Sequence, residues 1–139
     1  MTIKSLTEAL KAVQAIKADA HAVSTITGAA IDTKGFDEVM FVVNAGTFAA
    51  GATADIKVQE CDTSGGSYAD ISGAAFTQIT DALDDNIYVG RVKCKNWERY
   101  LKVVCVVGTD VADLGVVGIL GKYDGLAPVT QENTVEFDV

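Results

Sequence analysis

Phe41–Asp62 reads FVVNAGTFAAGATADIKVQECD. An apolar run is followed by ten mostly small residues, and then Ile56 and Val58 alternate with Asp55, Lys57 and Gln59. That alternation is the pattern of an antiparallel strand with one wet face. The middle, AGTFAAGATA, joins two β-segments. Gly46 and Gly51 permit the chain to reverse, and the alanines and threonines carry no ligand chemistry. Phe48 is its one large side chain, and two readings of it stand: a loop tip that touches a partner, or a ring tucked back on the core.

Working outward, short β-type segments punctuated by Gly, Asp and Asn fill the chain after Asp19. They fall at His21–Ile31, Phe36–Asn44, Ala54–Cys61, Tyr68–Ile71, Phe76–Thr80, Ile87–Lys93, Arg99–Val107 and Val116–Lys122. About eight strands at this spacing predict an all-β antiparallel sandwich or barrel. In RYLKVVCVV, Leu101, Val103, Cys105 and Val107 share one side, while Tyr100 and Lys102 share the other with Val104 and Val106. FDEVMFVV and GVVGILG are apolar almost throughout, so either they lie deep in the fold or the domain keeps an apolar surface for a partner. The N-terminus differs. Ser5-Leu6-Thr7-Glu8 has capping-box spacing, and Leu6, Leu10, Val13 and Lys17 follow a helical period, predicting a short helix or a docked arm. The tail LAPVTQENTVEFDV predicts an extended arm. The resulting division is 1–19 helix or arm, 20–126 sandwich, 127–139 tail.

A chain of 139 residues is one domain in size. No run of about 18 apolar residues predicts a membrane span. Lys4, Glu8, Lys11 and Lys17 interrupt the apolar core that a secretory signal needs, so the chain is expected to stay in the cytosol where it is made. Three cysteines, Cys61, Cys94 and Cys105, without C-x-x-C spacing fit a reducing compartment. The net charge of −8 opposes nucleic-acid binding. Against that background, Arg91, Lys93, Lys95, Arg99 and Lys102 put five of the eleven basic residues close together. This run reads as a solvated strand face or as a contact for an acidic protein.

Catalytic motifs are scarce. Asp81, Asp84 and Asp85 lack the alternating spacing and distal glutamate of a calcium loop and read as a solvated turn. Asp62 and Asp70 sit in a flexible hairpin end rather than a cleft. His21, the single histidine, has no nucleophile context, which favours a structural role and leaves no expected metal site, cofactor or catalytic residue. Trp97 reads either as a stacking platform, with Tyr100 nearby, or as a lid on the core.

The order of AVSTITGAAID, KGFDEVMFVVNAGTF, ADIKVQECDTSGGSYADI, NIYVGRVKCKNWERYLKVVCVVGTD and VVGILGKYDGLAPV resembles the small jelly-roll cement, or decoration, proteins of tailed-bacteriophage capsids. The resemblance covers residues 20 to 129 and rests on strand pattern and short phrases such as GFDEV, VQECD and LGKYDGLAPV. It implies a jelly-roll sandwich and a non-enzymatic virion protein on the capsid exterior. Its partners would be the major capsid protein and further copies of itself, as a dimer or trimer. Candidate contacts are Phe48, Arg91, Lys93, Lys95, Arg99, Lys102 and the termini. The helical look of SLTEALKAVQAIK departs from the extended arm of that family. Two rivals remain: a carbohydrate-binding module using Trp97, Tyr88 or Tyr100 with Asp84 and Asp85 on calcium, and a metal-dependent β-barrel enzyme, which one histidine disfavours.

Overall fold

A computed structural model of the chain describes residues 6–122 and 135–139. In chain order these form one helical turn, α1 (Leu6–Ala9), and strands β1 (Leu10–His21), β2 (Ser24–Thr27), β3 (Ile31–Asp32), β4 (Glu38–Phe48), β5 (Thr53–Cys61) and β6 (Ala69–Ala75). There follow β7 (Ile79–Thr80), β8 (Asn86–Lys93), a 3-10 turn at Cys94–Asn96, β9 (Tyr100–Gly108), β10 (Ala112–Gly121) and β11 (Val135–Asp138). One sheet has the order β1-β10-β4-β8-β11, and the other the order β2-β9-β5-β6, with β3 also on β9 and β7 also on β5.

Taking β2 with β3 and β6 with β7 as two broken strands gives eight, with β11 added at an edge. The first, eighth, third and sixth share one sheet; the second, seventh, fourth and fifth share the other. This is the winding of a jelly roll, and the all-β antiparallel sandwich expected from the sequence is the fold observed. Among the pairings, β11 alone runs parallel to its neighbour, β8.

Alternation decides the core. Val39, Phe41 and Val43 of β4 face inward at 0% exposure, opposite Leu120, Gly118 and Val116 of β10. Ile56 and Val58 of β5 meet Cys105 and Val103 of β9 in register, all four side chains buried. Each such aliphatic or aromatic side chain contributes roughly 1.5–3 kcal/mol on burial. The outward residues of the first sheet are apolar as well: Met40 and Val42 are half-buried, while Val117 and Ile87 are 40% and 41% exposed. The nearly continuous apolar runs therefore have one face in the core and one on the surface.

Two expectations need correcting, and a third lies mostly outside the described residues. The helix predicted near the N-terminus is a single turn; residues 10–21 are β1, the first jelly-roll strand, crossing the expected division after residue 19. Register shifts between Gln14 and Ile16 and between Ile16 and Asp19 mark bulges. They place Val13 and Ile16 three apart against Gly118 and Val116, so the strand carries a helix-like period. The segment His21–Ile31 is two short strands on one neighbour rather than one. Residues 123–134, which hold most of the predicted tail, lie outside the described residues; the last five form β11 and its end.

β11 brings Phe137 into the core at 6% exposure, its ring edge-on to Phe76 with centroids 4.8 Å apart. It passes over Gly90 of β8, where an added Cβ would overlap three atoms of the Phe137 ring. Glycine is needed here for close approach rather than for a special dihedral. Gly90→Ala is expected to lower Tm by roughly 3–10 °C through overpacking. Gly65→Ala, where nothing lies within 4 Å, should leave Tm unchanged in the same thermal melt; equal melting of both variants would contradict this packing.

Candidate functional site

The opening stretch resolves first. β4 continues through AGTF to Phe48, so the connection to β5 is only Ala49–Ala52. It is a tight turn in which the Ala52 N–H donates to the Ala49 carbonyl at 2.9 Å, with Gly51 at φ +79°. A positive φ at this third position is the signature of a type II turn. Phe48 is 5% exposed and belongs to the core cluster. Its ring therefore offers no surface to a partner, a correction to its place among the candidate contacts.

The acidic run holds this corner. The Asp84 carboxylate accepts from the Phe48 N–H at 2.7 Å, and Asp81 from the Gly51 N–H at 2.9 Å. Asp85 accepts from the Thr47 hydroxyl at 3.2 Å. These carboxylates thus bind donors of their own chain, and among the described residues no group of three or more His, Cys, Asp or Glu is placed to hold a metal. His21 is likewise bonded within its strand, its Nε2 lying 2.7 Å from the Lys17 carbonyl across the bulge. Asp70 accepts from Lys57 at 2.9 Å and Gln59 at 2.8 Å.

The basic run spreads over the opposite end. β4 and β8 pair in register from Ala45 with Asn86 to Glu38 with Lys93. Eight residues at about 3.3 Å each separate the two ends by roughly 25 Å. Around Lys93 lies a cleft of about 740 Å³ with Phe36 and Trp97 in its lining, ringed by Lys34, Lys93, Lys95 and Arg99. Asp37 and Glu38 also line it. Three of the five predicted basic residues thus share one cleft. The other two do not: Arg91 lies on the outer face of β8, 3.8 Å from the Glu38 carboxylate, and Lys102 lies on β9 of the other sheet, over the Tyr68 ring at 4.4 Å.

Backbone bonds build the cleft. The Cys94 N–H donates to the Asp37 carbonyl at 2.8 Å, and the Thr33 hydroxyl to the Arg99 carbonyl at 2.6 Å. Arg99 grips Asp32 with two bonds, Nε to Oδ1 at 2.9 Å and Nη2 to Oδ2 at 2.8 Å. That fork, first of all, holds the Asp32 carboxyl well below the usual carboxylate range, helped by the Lys34 N–H. The Trp97 indole N–H is buried with no acceptor among the described residues. Leaving such a donor unpaired costs about 1–3 kcal/mol, so an acceptor reaching it would be rewarded.

Sequence reasoning missed Lys34 and Phe36, which come from the β3–β4 connection, some sixty positions away from Trp97 in the chain. The aromatic residues considered as sugar platforms are dispersed: Tyr88 packs against the core near the far end, its hydroxyl donating to the Leu83 carbonyl at 2.5 Å, while Tyr100 sits beneath Arg99.

No protein-family model matches the chain, and no curated protein matches its sequence. Among solved structures, the crystal structure of the PBSX exported protein XepA has a similar fold, with a TM-score of 0.60 and 13% identity, over 99% of this chain and 46% of that one. The chain thus spans a little under half the length of XepA, and at this identity the likeness is one of fold.

Asp32 tests the latch. Because its folded pKa is depressed, its contribution is present above the ordinary carboxylate value near 4 and is lost as pH falls toward the folded one. Asp32→Asn should lower Tm slightly at pH 7, the pair being exposed, and its difference from the parent should shrink steadily below about pH 4. A difference that stays constant on acidification would contradict the pairing.

Proposed function

We propose that this chain is a non-enzymatic virion protein that binds the outside of a tailed-phage capsid and cements neighbouring capsid subunits. The observation that carries the reading is the gathering of Lys93, Lys95 and Arg99 around one cleft at an end of a jelly roll, within a chain of net charge −8. A locally basic, partly aromatic recess on an acidic protein suits an acidic protein surface, which it meets by charge complementarity over a short range. The jelly-roll winding supports the resemblance to cement proteins, and the likeness to XepA supports it at the level of fold. The half-exposed apolar face of Met40, Val42, Val117 and Ile87 suits a protein that works against other protein surfaces. The virion exterior is then its location, reached after synthesis in the host cytoplasm.

Mixing the purified chain with expanded shells of the encoding phage that lack it, then pelleting them, tests this. The expected result is saturable binding that weakens with salt, with Lys93→Glu plus Lys95→Glu reducing occupancy roughly tenfold. No binding to either immature or expanded shells contradicts the cement role; unchanged occupancy of the double variant contradicts the cleft as its contact.

A further inference from the structure

Among the described residues, the connections at the end away from the cleft are Ala22–Val23, Ala49–Ala52, Asp81–Asp85 and Thr109–Val111. They contain no lysine or arginine, and they carry Asp81, Asp84, Asp85 and Asp110. The Asp81–Asp85 turn is closed by the Leu83 N–H donating to the Thr80 carbonyl at 2.9 Å, and it leaves Leu83 47% exposed. An apolar side chain this open, standing between carboxylates that are themselves held in place by accepting from Phe48, Gly51 and Thr47, is a preformed acidic tip. The opposite end offers its complement: an aromatic recess of Phe36 and Trp97, a rim carrying Lys34 and Lys95, both exposed, beside Asp37 and Glu38, and an indole N–H without an acceptor among the described residues.

We propose that copies of this chain associate head to tail, the Asp81–Asp85 turn of one entering the Phe36–Trp97 cleft of the next. Leu83 fills the aromatic recess, and the aspartates face Lys34 and Lys95. Because donor and acceptor surfaces sit about 25 Å apart at opposite ends of β8, the contact is heterologous. A joined pair keeps one unused tip and one unused cleft, so association continues into a ring or a filament rather than stopping at a two-fold dimer. The attraction joins exposed charges, so it weakens as salt is raised.

The contact occupies the same cleft that the proposed function gives to the shell, so only a copy whose cleft is open can meet a shell protein; the association itself is tested on the full chain alone by sedimentation velocity over a concentration series, at low and high salt. The expected result is growth beyond a dimer at low salt. Leu83→Ser, which spoils the tip, and Lys34→Glu plus Lys95→Glu, which spoils the cleft, should each weaken association roughly tenfold or more while circular dichroism and Tm stay at the parent values. Mixing the two variants should restore one sound junction and yield a 1:1 pair that grows no further. A chain that stays monomeric, variants that assemble like the parent, or a mixture that forms nothing would each overturn the proposal. If the chain is monomeric yet still pellets with shells, the cleft's occupant is a shell protein, and the proposed function survives without this inference.

Discussion

The antiparallel pairing of β4 with β8 is the constraint on which the rest of the molecule depends. Its register sets Ala45 against Asn86 and Glu38 against Lys93. Once that register is fixed, the turn before β8 must lie beside the turn after β4, and the turn after β8 must lie beside the connection that precedes β4. The first juxtaposition lets Asp81 and Asp84 bind the Gly51 and Phe48 amides. The second brings Cys94 onto Asp37 and opens the cleft between Phe36 and Trp97. A slip of one residue would turn Val39, Phe41 and Val43 out to solvent, so burial of these three side chains enforces the register.

Charge follows from the same geometry. The chain is acidic overall, yet its lysines and arginines thin out toward one end, and the connections there carry aspartates alone among charged residues. Asp81, Asp84 and Asp85 serve the fold first, since each accepts a hydrogen bond from the β4 corner. Their negative field at the tip is a by-product of that bonding. At the other end Arg99 is paired with Asp32 and Arg91 lies near Glu38, which leaves the exposed Lys34 and Lys95 as the more adaptable part of the rim.

Much of the fold was legible in the sequence because most strands keep a plain period of two. β5 and β9 read correctly to within one residue at their ends, and Leu101, Val103, Cys105 and Val107, which the alternation puts on one side, are buried together. β1 was hidden because two bulges gave its inward residues helical spacing, and because alanine prefers helix until a neighbouring strand supplies pairing. Phe48 was ambiguous because the glycines around it suggested a wide loop, whereas Gly46 lies inside β4 and only Gly51 turns the chain. The basic run was visible as a cluster, but its division was not: Arg91 and Lys102 lie on the outer faces of different sheets, on either side of a turn the spacing could not orient. Nothing local marks Lys34 and Phe36 as neighbours of Trp97, since only the closure of the sandwich brings them together.

The central claim is that this jelly roll is a polar block with an acidic tip and a basic cleft that meet between molecules. Zero-length carboxyl-to-amine coupling of the associated chain, followed by peptide mass spectrometry, addresses it most directly. Residues roughly 25 Å apart within one chain cannot be joined by such a reagent, so any link between Asp81, Asp84 or Asp85 and Lys34 or Lys95 must bridge two copies. The account predicts those links, diluted twofold in heavy–light form when isotope-labelled and unlabelled chains are mixed equally. Recovery of only the neighbouring pairs Lys17 with Asp19 and Lys57 with Asp70 would contradict it.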